Sequence, residues 1–226
     1  MNNLNLRYFS IISSMFVTIL LISNTVATKL FSLGPFIFTG AIFVFPISYI
    51  FGDILTEVYG YTRSRIIIWT GFFCLLLMSI VYYIVGLLPP APGWNNQEAY
   101  KIILGTVPRI VFASFIGYWA GEFSNSYILA KMKILTKGKY LWSRTISSTI
   151  VGEGVDTSLF VTIAFFGILP NSLLAIVALS GYGFKVLYEI IATPITYKIV
   201  NLLKKAEGID YYDYKTDFNP FKLKQQ

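Results

Sequence analysis

Residues 65–88, RIIIWTGFFCLLLMSIVYYIVGLL, contain one charge, Arg65 at the very start. A bilayer's hydrocarbon core is about 30 Å thick and is crossed by about 20 apolar residues in a helix. The stretch therefore predicts a membrane-spanning helix, which Pro89, Pro90, Pro92 and Gly93 bring to an end. Working outward from it, the same criterion places spans at 8–28, 36–57, 107–130, 146–169 and 173–203. The second is the least regular, because Pro46 interrupts it and acids crowd its end. The break between the last two rests on Pro170-Asn171-Ser172. The expectation is an all-α integral membrane protein, a compact bundle of six transmembrane helices forming one domain over residues 1–226.

Composition agrees: 55% of residues are hydrophobic and 13% charged, against about a quarter charged in soluble domains, and the mean hydropathy is +0.65. The apolar stretch after MNNLNLR is too long for a signal-peptide core and lacks a small-residue cleavage site, so it reads as a retained first span. Basic residues favour cytoplasmic loops. With both termini inside, the inner segments hold 14 of the 18 Lys and Arg residues, the outer loops only Lys29 and Lys101. The net charge of +7 thus reports topology and contact with anionic lipid, and no nucleic-acid partner is expected.

The chain has no histidine, and its single cysteine, Cys74, lies in the apolar run of the third span. Intrachain disulfides, Cys/His zinc sites and His-assisted nucleophiles are excluded, and the GxxxxGK[ST] phosphate loop is missing. No catalytic residue, metal site or cofactor is expected. Energy for transport would come from a gradient, a partner or metabolic trapping.

Against that apolar background, Asp53, Glu57, Arg109, Glu122, Glu153, Asp156, Lys185 and Glu189 lie within or at the edges of predicted spans. A charge at the bilayer centre costs about 2.5–3.5 kcal/mol even on lenient scales, so such groups face a cavity or pair with one another. In the fourth span Ala113, Gly117, Gly121 and Asn125 form one stripe beside Ser114, Tyr118, Glu122 and Ser126. The two glycines suit close helix packing, with a homodimer seam as the alternative. In the fifth, Thr149, Gly152, Glu153, Asp156, Thr157 and Phe160 share a side. Its two acids are suited to a cation, a proton or hydrogen-bond donors, or form a structural pair neutralised by Lys185 or Arg144. Lys185 and Glu189, at i and i+4, can bond to each other, and Thr193 and Thr196 continue their stripe. Asp53 and Glu57 lie near the inner end of the second span, where Arg144 is at matching depth. Those three are expected to meet as a gate or structural clamp. Arg109, near the outer boundary, reads as a snorkelling residue. Among the 16 Tyr and 19 Phe, Phe45, Tyr59, Tyr118 and Phe160 lie beside the acids and can stack on a planar ligand.

Phe45-Pro46, Asp53-Ile-Leu-Thr-Glu57-Val-Tyr59-Gly60, Glu122-x-x-Asn125, Leu141-Trp142-x-Arg144 with Ser148-Thr149, and Gly152-Glu153-x-x-Asp156 follow one another in order. From about Asn24 to Lys198 this set resembles the queuosine precursor transporter family, also called the vitamin uptake transporter family. The resemblance implies a multi-pass inner-membrane importer of 7-cyano-7-deazaguanine, 7-aminomethyl-7-deazaguanine or queuine, working by alternating access. A guanine-like edge offers N1–H and NH2 donors to a carboxylate, and its O6 accepts from Asn, Lys or Arg. Glu122, Asn125, Glu153, Asp156, Lys185, Glu189, Phe45 and Phe160 are the residues expected to contact such a solute. The alternative is a substrate-binding membrane subunit that needs a separate ATP-driven coupling complex.

Overall fold

The computed structural model describes residues 6–33, 36–105, 108–167, 170–214 and 216–222. Helix α1 (Phe9–Val26) leads into an antiparallel hairpin of β1 (Leu30–Leu33) and β2 (Phe36–Thr39), then a 3-10 turn at Gly40–Phe43. Helices α2 (Phe45–Tyr59), α3 (Tyr61–Leu87), α4 (Gln97–Ile103), α5 (Pro108–Leu135), α6 (Leu141–Phe165) and α7 (Asn171–Glu207) follow.

The expected helical bundle is found, with two local differences. Residues 36–39 of the expected second span form a strand of a short hairpin. Pro46, read as an interruption, occupies the first turn of α2. A proline fits there because the first N–H groups of a helix have no intrahelical acceptor. Helices α3, α5, α6 and α7 each start or end several residues beyond the expected bounds, α1 lies within them, and α4 is an addition in the 88–107 connection.

Polarity is inverted relative to a soluble protein. Phe73, Leu77, Ile84, Leu179 and Ile191 lie exposed on α3 and α7, whereas Asp53, Glu57, Glu122 and Asn125 are fully buried. Among the described residues, α1, the 3-10 turn with α2, α3 and α7 are long and apolar enough to cross a membrane. Helices α5 and α6, of 28 and 25 residues, have the length, but their interior acids and bases lower their hydropathy. The chain is thus a multi-pass membrane protein.

Helix α2 is the central element, packed against α1, α3, α5 and α7. It passes into α3 through Gly60 alone, whose φ of +87° and position against the Tyr211 ring leave no room for a side chain. The α5–α6 contact is the most extensive among the described helices and runs over glycines, so Gly117 and Gly121 serve packing within this chain. A Cβ on Gly121 would lie 2.8 Å from the Gly152 carbonyl oxygen, and one on Gly152 would lie 2.7 Å from Asn125 Cβ. At the other end of the chain, the Glu207 carboxylate accepts from the Arg7 and Tyr8 N–H groups at 3.1 and 2.7 Å and from the Tyr59 hydroxyl at 3.1 Å. The start of α1 and the end of α7 therefore lie at one end of the bundle.

Replacing Gly152 by Val should lower the melting temperature of the purified protein sharply, since overpacking costs about 1–3 kcal/mol even where a core can relax. Gly181→Ala, where an added Cβ meets nothing within 4 Å, should leave it unchanged. Thermal unfolding followed by size-exclusion chromatography measures both.

Candidate functional site

Four residues apart on α2, Phe45, Tyr49, Asp53 and Glu57 fall on one stripe that runs down the bundle interior. Glu57, at its lower end, is enclosed by cations from three helices. Arg144 of α6 donates from Nε and Nη2 at 2.6 and 2.7 Å, and from Nη1 to the Lys139 carbonyl at 2.7 Å. Lys204 of α7 bonds to Glu57 Oε1. Lys133 of α5 lies 3.5 Å from the same oxygen and donates to the Glu57 carbonyl at 2.6 Å. A buried carboxylate is tolerated when paired and hydrogen-bonded in this way.

The segment after α7 closes over this cluster. Asp210 bridges Lys133 and Lys204 at 2.6 and 2.9 Å. Asp213 accepts from the Tyr61 N–H at the start of α3 at 3.1 Å. Arg65 donates to the Asp217 and Asn219 carbonyls, and Trp69 to that of Pro220.

Asp53 does not join Glu57 and Arg144, contrary to the sequence expectation. One helical turn, about 5.4 Å, sets it deeper, where its Oδ1 accepts from Asn125 Nδ2 at 2.6 Å. Nor do Lys185 and Glu189 bond to each other. Lys185 reaches across to α6, donating to Glu153 Oε2 at 2.7 Å, Asp156 Oδ2 at 3.0 Å and Thr157 Oγ1 at 3.5 Å. Its ammonium also lies 4.5 Å from the centre of the Phe45 ring, within cation–π range. Glu153 and Asp156 thus share one cation, Lys185, as in the neutralised-pair alternative.

Around this triad lie buried polar atoms without a hydrogen-bond partner among the described residues. They are both oxygens of Glu122, Glu153 Oε1, Asp53 Oδ2, Glu189 Oε1, Asn125 Oδ1, Thr149 Oγ1 and the hydroxyls of Tyr49 and Tyr118. Glu122 has its place because position 52 is glycine: any Cβ there would strike its carboxylate. Phe160 flanks Asp156 beside Gly117, with its ring 5.8 Å from that of Phe165. The side chain of Arg109 lies outside the described residues.

Tyr49, Lys133 and Lys204 were missed as site residues. Tyr49 is legible as the missing step of the Phe45–Asp53–Glu57 stripe, and Lys133 continues the stripe of Asn125 and Leu129. Lys204 carried no signal beyond its place among cytoplasmic basic residues.

A bundle with an apolar exterior and buried acids in its interior defines a polytopic membrane protein. The family model described as "Putative vitamin uptake transporter" matches residues 39–199. The chain is 30% identical over 156 residues to the "Probable queuosine precursor transporter" of Bacillus subtilis, covering 69% of this chain and 68% of that protein. It is 28% identical over 172 residues to the "Queuosine precursor transporter" of Escherichia coli, covering 74% and 75%. No solved structure matches. The chain belongs to the vitamin uptake transporter family and is a membrane transporter, not an enzyme.

Removing one partner of a buried pair costs about 3–5 kcal/mol, so Arg144→Ala should lower the yield of folded protein and its melting temperature. Arg144→Lys should recover only part, because the two parallel bonds to Glu57 need a guanidinium. Asp210 adds a pH dependence. Burial acts to raise its pKa, but hydrogen bonds from Lys133 and Lys204 outweigh it and hold the carboxyl below its ordinary value. Its contribution is present above the unfolded pKa and is lost as pH falls through the lower folded one. Proteolysis of the segment after α7 should accelerate over that acid range in the wild type, and Asp210→Asn should be cut quickly at every pH.

Proposed function

We propose that the chain imports a queuosine precursor, 7-cyano- or 7-aminomethyl-7-deazaguanine or queuine, across the inner membrane by alternating access. In this reading residues 1–226 form one transport domain with six crossings, α1, α2 with its 3-10 turn, α3, α5, α6 and α7, and with both termini in the cytoplasm. The names of the relatives give the solute class, and the interior supplies the chemistry. The observation that carries the reading is Glu122, a buried carboxylate whose two oxygens have no partner among the described residues, beside Tyr49, Tyr118, Asn125 and Glu153 atoms in the same condition. These atoms are mainly acceptors, and a guanine-like edge is a pair of adjacent donors. Asp156 and Lys185 border the same space, and Phe45 and Phe160 serve as aromatic walls for the flat bicycle.

The Glu57 cluster and the segment over it act as the cytoplasmic gate, closed in the form described here. Opening it would separate Glu57 from Arg144 and Lys204. Pro194, inside α7, has no N–H to bond back to the preceding turn and provides a bending point between Glu189 and Lys204.

Purified protein should bind 7-deazaguanines in preference to adenine. Glu122→Gln should weaken that binding about 10- to 150-fold, the equivalent of about 1.5–3 kcal/mol for a charge-assisted bond. Unchanged affinity in Glu122→Gln, Glu153→Gln and Asp156→Asn alike, measured by calorimetry, would remove the site from this place.

A further inference from the structure

On the outside of the bundle, α3, α5, α6 and the segment after α7 leave a groove of about 390 Å³. Trp119, Phe123 and Tyr127, four residues apart on α5, line it together with Tyr61, Val151 and Phe218. The run from Trp119 to Tyr127 covers about 12 Å along the helix axis. Tyr127 and Val151 are exposed, so the groove opens towards the bilayer. Its lining is aromatic and aliphatic with little to offer a polar guest: Ser124 also borders it, but the Ser124 hydroxyl donates to the Ala120 carbonyl of its own helix at 2.7 Å.

The end of the groove nearest the Glu57 cluster is positively charged. Lys131 lies one turn beyond Tyr127, with its ammonium 4.3 Å from the centre of the Phe218 ring and 5.6 Å from that of Tyr127. The Arg65 guanidinium lies 5.5 Å from the centre of the Tyr61 ring. Arg65 donates from Nη1 to the Asp217 and Asn219 carbonyls, and its buried Nε has no acceptor among the described residues. Neither cation has a carboxylate among the described ion pairs. The acids of the segment after α7 are already held: Asp217 by Lys222 at 2.9 Å, and Asp213 by the Tyr61 N–H and the Thr216 hydroxyl. Positive charge therefore remains at the mouth of an apolar groove, a combination that matches a lipid with an anionic headgroup. A second copy packed here about a two-fold axis would set Lys131 against Lys131. A peptide would leave backbone groups unmet along the apolar wall.

We propose that this groove is a phospholipid site. An anionic phospholipid, from the leaflet at the Glu57 end of the bundle, lays an acyl chain along Trp119, Phe123 and Tyr127 and sets its phosphate at Lys131, on the side of Arg65. The lipid also packs on Phe218, and so helps to hold the segment that closes over the Glu57 cluster. The site is independent of the transported solute.

Native mass spectrometry of the full chain, released from detergent containing equal amounts of dioleoylphosphatidylglycerol and dioleoylphosphatidylcholine, tests it. One phosphatidylglycerol per chain should be retained in preference to phosphatidylcholine. Lys131→Gln should weaken that retention about fivefold, as expected for one basic residue beside an anionic headgroup. Ser124→Trp, which fills the groove, should abolish it, and Lys198→Gln, on the exposed side of α7, should leave it unchanged. If Ser124→Trp misfolds, Lys131→Gln and Lys198→Gln decide. Equal retention of the two lipids overturns the site, as does full retention of phosphatidylglycerol in Lys131→Gln. An equal loss in Lys198→Gln would trace the preference to overall charge and overturn it too. A dimer that lipid does not displace and Ser124→Trp dissociates would give the groove to a second copy instead.

Discussion

An ionised carboxylate at the end of a membrane helix persists only if its charge is met on every side, and Glu57 is met by Arg144, Lys133 and Lys204. Those cations come from α6, α5 and α7, so one side chain of α2 draws four helices together at one end of the bundle. Because α2 turns into α3 through a single residue, the same knot fixes where α3 begins. Asp210 adds a second carboxylate to it from outside. Every interior acid above Glu57 depends on this closure, since it separates Asp53 and Glu122 from water at that end.

A contrast between the two carboxylate groups gives the interior its character. Glu57 has more positive neighbours than it needs, whereas Asp53, Glu122 and Glu189 have none among the described ion pairs. Lys185 stands between these regimes, shared by Glu153 and Asp156 and resting against Phe45. Glycine is used for room as much as for helix approach: without a hydrogen at position 52 the Glu122 carboxylate has no place, and without one at 121 the Tyr49 hydroxyl would be displaced. The unpartnered oxygens are therefore held in place by packing instead of by hydrogen bonds.

Helices α3 and α7 were legible in the sequence because their lipid-facing sides are apolar for more than a bilayer's thickness. Phe45–Pro46 was harder to read: a proline that begins a helix and one that breaks it look alike until the strand before it is known. Spacing put Asp53 with Glu57 and Lys185 with Glu189 on common faces, which the structure bears out as faces. It did not reveal depth or the element opposite, and those decide that Asp53 meets Asn125 and Lys185 meets α6. Segment 208–222 offers little periodicity, because its backbone carbonyls and one buried aspartate do the holding.

Helix α1 has no side-chain cap at its own start; the N–H groups of Arg7 and Tyr8, which lead into it, are accepted by Glu207. The two partners are separated by 199 residues, which a ribosome takes about 10 to 40 seconds to add. The residues that lead into the first helix must therefore wait without this partner while the chain up to the end of α7 is made. Until the last turn of α7 emerges, their N–H groups are satisfied only by water or lipid headgroups. Docking of α1 is thus completed by the end of α7, and a chain released before Glu207 is made would leave its first helix in the membrane without this contact.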